Sequence, residues 1–301
     1  MSFESFINDT SPRNNSEVSV SWNEIRNTIE SNSDIVSSSF LAGSYIRRTK
    51  IHPIDDLDIF FHINFSNTRI QSDTNGTKIC LKGDIDSHQL KKYSTNELGT
   101  YYVSPIKLIN HIGTIVKESY TTTNEQHRNG ECYTVYLSSK LLTIDCVPYA
   151  WVNEHDYMLI PSGWKDLYWK KTNPKIDKDT ITDMDATYQG KLRWVIKIMK
   201  FWNKNKNTWV KFKSYILECL VYFAFKNKCN VQMSYLQLLF HTVSYIHNNV
   251  VAHRNIHDLP EYQYMYYTLE WDQRTRVLEK LTLLISYINS WEEYTISYLT
   301  T

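Results

Sequence analysis

Polar and apolar residues alternate at the start of DLDIFFHI, residues 56–63, and then give way to an apolar run. That pattern predicts a central strand, open on one face at its first residues and covered on both faces beyond them. IVSSSFLAGS, residues 35–44, predicts a short strand running into a Gly43-Ser44 turn. YTVYL at 133–137 and LLTIDCVPYAW at 141–151 flank Ser138-Ser139-Lys140 and predict a hairpin. Ser21 and Glu24 have capping-box spacing, which predicts a helix from Ser21 to about Asn32. Ser104-Pro105 predicts another helix to about Tyr120, with proline in its first turn. Residues 1–16 read as a loose start, and 64–103 are too polar to assign. From about Pro161 the apolar period lengthens to that of helices, at 188–204, 214–227, 233–249 and 271–296. The first half is therefore mixed α/β and the second half helical, with no internal repeat and no long linker.

With 301 residues, 42% hydrophobic and 14% aromatic, the chain can build a substantial core. Scarce glycine and proline argue against extensive disorder. A net charge of +1 places any anion-binding role in a local patch rather than in the whole molecule. One such region is 161–213, where Lys and Arg outnumber Asp and Glu more than two to one. Cys80, Cys132, Cys146, Cys219 and Cys229 show no C-x-x-C and no Cys/His cluster, which argues against structural zinc and fits a reducing cytoplasm. The N-terminus carries no apolar signal core and no window spans a bilayer, so a soluble cytoplasmic protein is expected. His52 and His62 flank the acidic stretch without a partner at ligand spacing, and no chemistry is assigned to the histidines.

Asp56 and Asp58 point to one face of their strand, and Leu57 and Ile59 to the other. Two carboxylates so close repel, and a divalent cation removes that cost. Magnesium takes oxygen ligands, commonly one or two carboxylates plus substrate phosphate oxygens. Gly43 lets backbone amides approach a phosphate closely, and the Ser44 hydroxyl can donate to one. Asp145 lies in another apolar strand. There it either faces solvent or meets a charge partner, and beside the first strand it would complete a three-carboxylate, two-metal site for phosphoryl transfer. Asp55 points away from Asp56 and reads as a solvated or structural residue.

GSYIRRTKIHPIDDLDIF, residues 43–60, resembles the nucleotidyltransferase motif of the DNA polymerase β-like superfamily: Gly-Ser, then a hydrophobic-flanked Asp-x-Asp. Together with IDCVPYAW, IPSGWKDLYWKKTNP, GKLRWVIKIMKFWN and FKSYILE, the chain over about residues 20–225 resembles the cGAS/DncV-like nucleotidyltransferases. These are the SMODS-type cyclic-oligonucleotide synthases of bacterial anti-phage defence (CBASS). The resemblance implies an α+β fold: a polymerase β-like core over 1–165, a mixed sheet with flanking helices, and a C-terminal helical bundle over 166–301 that closes the nucleotide cleft. It implies that Asp56, Asp58 and Asp145 are catalytic and hold two Mg2+, and that Gly43 and Ser44 hold the donor triphosphate. It further implies NTP substrates, a downstream effector that senses the product, and a monomer needing neither membrane nor a stable nucleic-acid complex.

On the helix at 188–204, Arg193, Lys197, Lys200 and Lys204 form a basic stripe on an otherwise apolar cylinder. Such a stripe is either a snorkelling solvent face or the lining of a cleft. The resemblance assigns Lys197 and Lys200 to the triphosphate. Ser214 stands where a helix starts, as an N-cap or, by resemblance, a phosphate contact. Tyr215 is either core or, by resemblance, the residue that stacks on the donor base. Two other readings stay open. One is the same chemistry with a linear product, an oligonucleotide synthase or an RNA-tailing enzyme. The other is an inactive nucleotidyltransferase fold serving as a binding module.

Overall fold

The computed structural model describes residues 16–74, 76–120, 125–152, 156–163, 165–207, 211–252, 254–261, 264–265, 269–290, 295 and 297–299. The loose start expected over 1–16 lies, but for Ser16, outside these residues.

Helix α1 (Ser16–Asn32) begins five residues before the expected Ser21 start. Val18, Ser21, Ile25 and Ile29 are buried at three- and four-residue steps, so the inward stripe extends back past Ser21. Ser21 and Glu24 therefore lie inside the helix and form no capping box. Strand β1 (Val36–Ala42) runs directly into a single helical turn, α2 (Gly43–Ile46), and β2 (Asp56–Ile63) has the expected bounds. The unassigned polar stretch holds four strands: β3 (Thr68–Asp73), β4 (Gly76–Leu81), β5 (Ser94–Glu97) and β6 (Thr100–Val103). Helix α3 (Pro105–Ser119) starts as expected, with the Ser104 hydroxyl accepting from the Lys107 amide at 3.3 Å. After it come β7 (Gln126–Asn129), β8 (Cys132–Leu137), β9 (Leu142–Val152), β10 (Tyr157–Pro161) and β11 (Trp169–Thr172).

These strands form one sheet in the order β1-β2-β9-β10-β11-β4-β6-β5; β3 joins β4, and β8 joins both β7 and β9. The β8–β9 hairpin is as expected. Strand β9 has three neighbours: residues 143–149 lie parallel to β2, 142–146 antiparallel to β8, and 150–152 antiparallel to β10. The β2–β9 pair is the one parallel pairing among the described residues. Helix α3 packs on the sheet through Leu108, Ile109, Ile112 and Val116. Gly113 lies against the sheet, where a Cβ would stand 2.3 Å from the Tyr133 ring.

The helices that follow are α4 (Pro174–Thr187), α5 (Lys191–Asn205), α6 (Ser214–Lys228), α7 (Tyr235–Val251) and α8 (Trp271–Ser290). Helix α6 is buried all round: every residue from Ile216 to Phe225 is inside. Its Leu217, Leu220, Val221 and Phe225 each contribute about 1.5–3 kcal/mol of burial. None of the described helices is long and apolar enough to cross a membrane.

The chain divides into two compact units, one of Asn14–Gly43 and Ile54–Pro174, the other including Ser44–Pro53 and Lys175–Thr301. This differs from a division at 165 on two counts. Strand β11 pairs with β10 and β4, so the sheet unit extends beyond 165. The segment after the Gly43 turn belongs with the helices rather than with the strands on either side of it.

Candidate active site

The parallel register of β2 and β9 sets Asp58 directly opposite Asp145, and Asp56 opposite Thr143. Neighbouring strands run ~4.8 Å apart, and register partners share a face. Asp56, Asp58, Thr143 and Asp145 therefore project from one face, all half-buried. Leu57, Ile59, Ile144 and Cys146 are buried on the other. Asp55 is exposed. The three acids predicted to act together are thus gathered by strand alternation and register alone.

Two neighbours shape this face. The Thr134 hydroxyl on β8 donates to Asp145 Oδ1 at 2.6 Å, in the short range of a charge-assisted bond. Gly43 follows Ala42, the register partner of Asp58. Its φ is +70°, and a Cβ there would stand 1.8 Å from Asp58 Oδ2. Gly43 is therefore required twice over, by its left-handed backbone and by the carboxylate beside it. Burial, reinforced by Asp145 and Asp58, pushes the Cys132 thiol well up. The donor set is oxygen only, which suits a hard divalent cation such as Mg2+. Among the described residues no three His, Cys, Asp or Glu side chains stand close enough together in this structure to hold a metal ion between them.

The helical unit uses its charges differently. Glu218 on α6 is fully buried. It accepts from Arg47 Nε at 2.8 Å and Nη2 at 3.2 Å and from Thr49 Oγ1 at 3.0 Å, and its Oε1 lies 2.6 Å from Lys200 Nζ. Burial alone would raise its pKa, but Arg47 and then Lys200 more than reverse this and hold it at about 2. Lys200, expected at the triphosphate, thus spends its charge inside the protein. Burial pulls its own pKa down against the pull of Glu218. Lys197, a turn away, is half-buried, and desolvation and then Arg193 lower its pKa.

Arg193 is structural too. It bonds Asp185 Oδ2 at 2.7 Å and the Arg47 carbonyl at 2.8 Å. The Tyr215 hydroxyl donates to Asp177 Oδ1 at 2.9 Å, and the Arg47 guanidinium lies 5.2 Å from the centre of its ring. Burial lifts Asp177 to about 6 despite Arg47 and that hydrogen bond. Ser214 is exposed and is the first residue of α6; the cap position is Lys213, so Ser214 is not the N-cap. The Thr49 amide donates to the Ser44 carbonyl at 3.0 Å, linking Ser44 to the Glu218 cluster. Sequence reasoning passed over Glu218, Arg47, Thr49 and Thr134. A lone acid in the apolar run YILECLVYFAF carried the same signal that picked out Asp145.

No family model matches the chain. A probable cyclic nucleotide synthase of Bacillus cereus (strain VD146) is 32% identical over 192 residues, which is 62% of this chain and 55% of that protein. The chain thus spans about half the length of the curated relative it matches. Among solved structures, Escherichia coli MS115-1 CdnC with ATP has a TM-score of 0.68 at 12% identity, over 98% of this chain and 94% of that one. Elizabethkingia meningoseptica CdnE cyclic dinucleotide synthase, with GTP and Apcpp, has a TM-score of 0.64 at 14% identity and covers all of both chains. Vibrio cholerae DncV cyclic AMP-GMP synthase, a prokaryotic cGAS homolog, has a TM-score of 0.58 at 13% identity over 84% of this chain and 63% of its own. The chain has the fold of these cGAS/DncV-like proteins, a mixed sheet with flanking helices, as its short motifs led us to expect.

Proposed function

We propose that this chain is a cGAS/DncV-like nucleotidyltransferase that joins NTPs into a cyclic di- or oligonucleotide second messenger and releases pyrophosphate. The observation that carries the reading is the in-register pairing of Asp58 with Asp145, with Asp56 on the same face and Gly43 against Asp58.

In this reading Asp56, Asp58 and Asp145 hold two Mg2+. Bound there, the ions supply Lewis-acid stabilisation of phosphoryl charge and lower the pKa of the attacking hydroxyl. Gly43 and Ser44 hold the donor triphosphate through backbone amide and hydroxyl. Lys197 and the exposed Ser214, at a helix N-terminus, add positive potential toward phosphate. Tyr215 faces the donor base. Lys200 acts from within, by balancing Glu218. The 2′- or 3′-hydroxyl of one nucleotide attacks the α-phosphorus of the other, its proton passes to the Asp145 carboxylate, and the bond to pyrophosphate breaks. The protein contributes position and neutralised charge. A second round on the turned-around linear intermediate closes the ring. The setting is the cytoplasm of a bacterium under phage attack, with a separate effector that senses the product and an enzyme that works as a monomer.

The test is a product assay with purified protein, Mg2+ and all four NTPs, followed by phosphatase and mass analysis. A phosphatase-resistant species with the mass of a closed ring is expected. A ladder of open chains would replace cyclisation by linear synthesis, and no product with any divalent cation would remove the enzymatic reading.

A further inference from the structure

The carboxylates of Glu218 and Asp145 are held along opposite lines. Glu218 is neutralised by Arg47 and Lys200, which makes it a structural ion cluster. Asp145 is met instead by the neutral Thr134 hydroxyl at 2.6 Å. Among the described residues no Lys or Arg pairs with Asp145. A hydroxyl orients a carboxylate without cancelling its charge.

We propose that Thr134 is a positioning residue: its hydroxyl fixes one oxygen of Asp145 so that the carboxylate is held in a single orientation for a divalent cation. The inference rests on the metal-binding reading given above.

Three features of the strand pair support it. Thr134 is the register partner of Asp145 in the β8–β9 hairpin, so backbone hydrogen bonds set their separation. Thr134 is 6% exposed, which leaves its hydroxyl little access to water. A β-branched residue has few χ1 options, so its oxygen is fixed in direction. The hydroxyl carries one proton, and Asp145 takes it. The neighbouring Cys132 thiol donates to the Asn129 carbonyl at 3.2 Å and lies 3.5 Å from Thr134 Oγ1, so it offers no competing acceptor of comparable strength. Partners that orient a metal ligand in this way commonly change metal affinity by about 10- to 100-fold when removed.

The test is calorimetric titration of Mn2+ into the full chain with a non-hydrolysable NTP analogue, for wild type, Thr134→Val, Thr134→Ser and Asp145→Asn. Val keeps the shape and removes the hydroxyl; Ser keeps the hydroxyl. We expect Val to weaken Mn2+ binding about 10- to 100-fold, and Ser to stay within about threefold of wild type on the same scale. If Val folds poorly, Thr134→Ala makes the same comparison. In turnover assays the Val variant should recover most of its kcat at high Mg2+, a shift in the metal requirement that a merely structural lesion would not produce. Wild-type Mn2+ affinity in the Val variant would overturn the proposal, as would a folded Ser variant as impaired as Val. If wild type binds no Mn2+, or Asp145→Asn binds it unchanged, the metal-site reading itself falls.

Discussion

Gly43 and Asp58 exclude one another: any Cβ at position 43 would lie 1.8 Å from the Asp58 Oδ2 oxygen. The positive φ of +70° adds a second penalty, so a side chain here must displace either the turn or the carboxylate. Gly43→Ala is expected to cost about 1–3 kcal/mol of stability from backbone strain. It should lower nucleotidyl transfer by about 100-fold or more, because a misplacement of ~1 Å at a reacting centre has that scale. Thermal melting and product formation, measured together, check this. A variant that melts early yet keeps full turnover would separate Gly43 from the site.

Asp58 and Asp145 face one another across parallel strands. Without a cation, replacing one of them relieves repulsion between like charges. Asp145→Asn should therefore melt close to wild type in EDTA, and Asp58→Asn and Asp145→Asn should both lose the stabilisation that Mg2+ gives wild type. Activity should fall at least ~100-fold, since several kcal/mol of charge stabilisation are removed and each 1.4 kcal/mol is tenfold. A large fall in the EDTA melting temperature would show these acids to be structural.

Glu218 is the opposite case. Glu218→Gln leaves Lys200 buried without its counter-charge and Arg47 with Asp177 at 3.9 Å in place of a close partner, at an expected cost of about 3–5 kcal/mol. The sign of the pH dependence follows from its depressed folded pKa of about 2, against 4.5 unfolded. Its contribution is full above pH 4.5 and is lost as pH falls from there toward 2. Urea unfolding of both proteins across that range should show their stabilities converging in acid.

Asp177 titrates the other way. Buried, and near Arg47, Glu218, Asp258 and Tyr215, it is lifted to about 6. The folded state holds this proton more tightly than the unfolded chain, so its contribution is full below 3.8 and is lost as pH rises through 6. Asp177→Asn should remove this part of the pH dependence between about 4 and 6, the window set by those two values. A stability difference between variant and wild type that stays constant across that window would refute the assignment.

What could be read from the sequence was what burial writes as a pattern. The β2 strand, the β8–β9 hairpin and the Ser104-capped helix each combine alternation or periodicity with a punctuating residue. The three acids stood out because charge in an apolar strand needs a reason. Strand β3 was illegible because it is a polar edge whose residues from Arg69 to Asp73 are all exposed, so burial leaves no alternating trace. Helix α4 was missed because its apolar positions are sparse. Ser21 imitated a cap inside a longer helix. The roles of the basic residues were the hardest to read: spacing placed Lys200 on a stripe, but only packing shows that its partner is Glu218, eighteen residues on and in the next helix.

The described residues of the helical unit come from two stretches of chain that are far apart in sequence. Arg47 and Thr49, which complete the Glu218 cluster, arrive between two strands of the sheet, more than a hundred residues before the helices they serve. No single cut therefore releases a self-sufficient helical half. A fragment beginning at Lys175 would carry Glu218 with Lys200 alone, one counter-charge short, and would behave as a poor expression product. Chimeras exchanging the helical half between related proteins should succeed only if residues 44–53 travel with it.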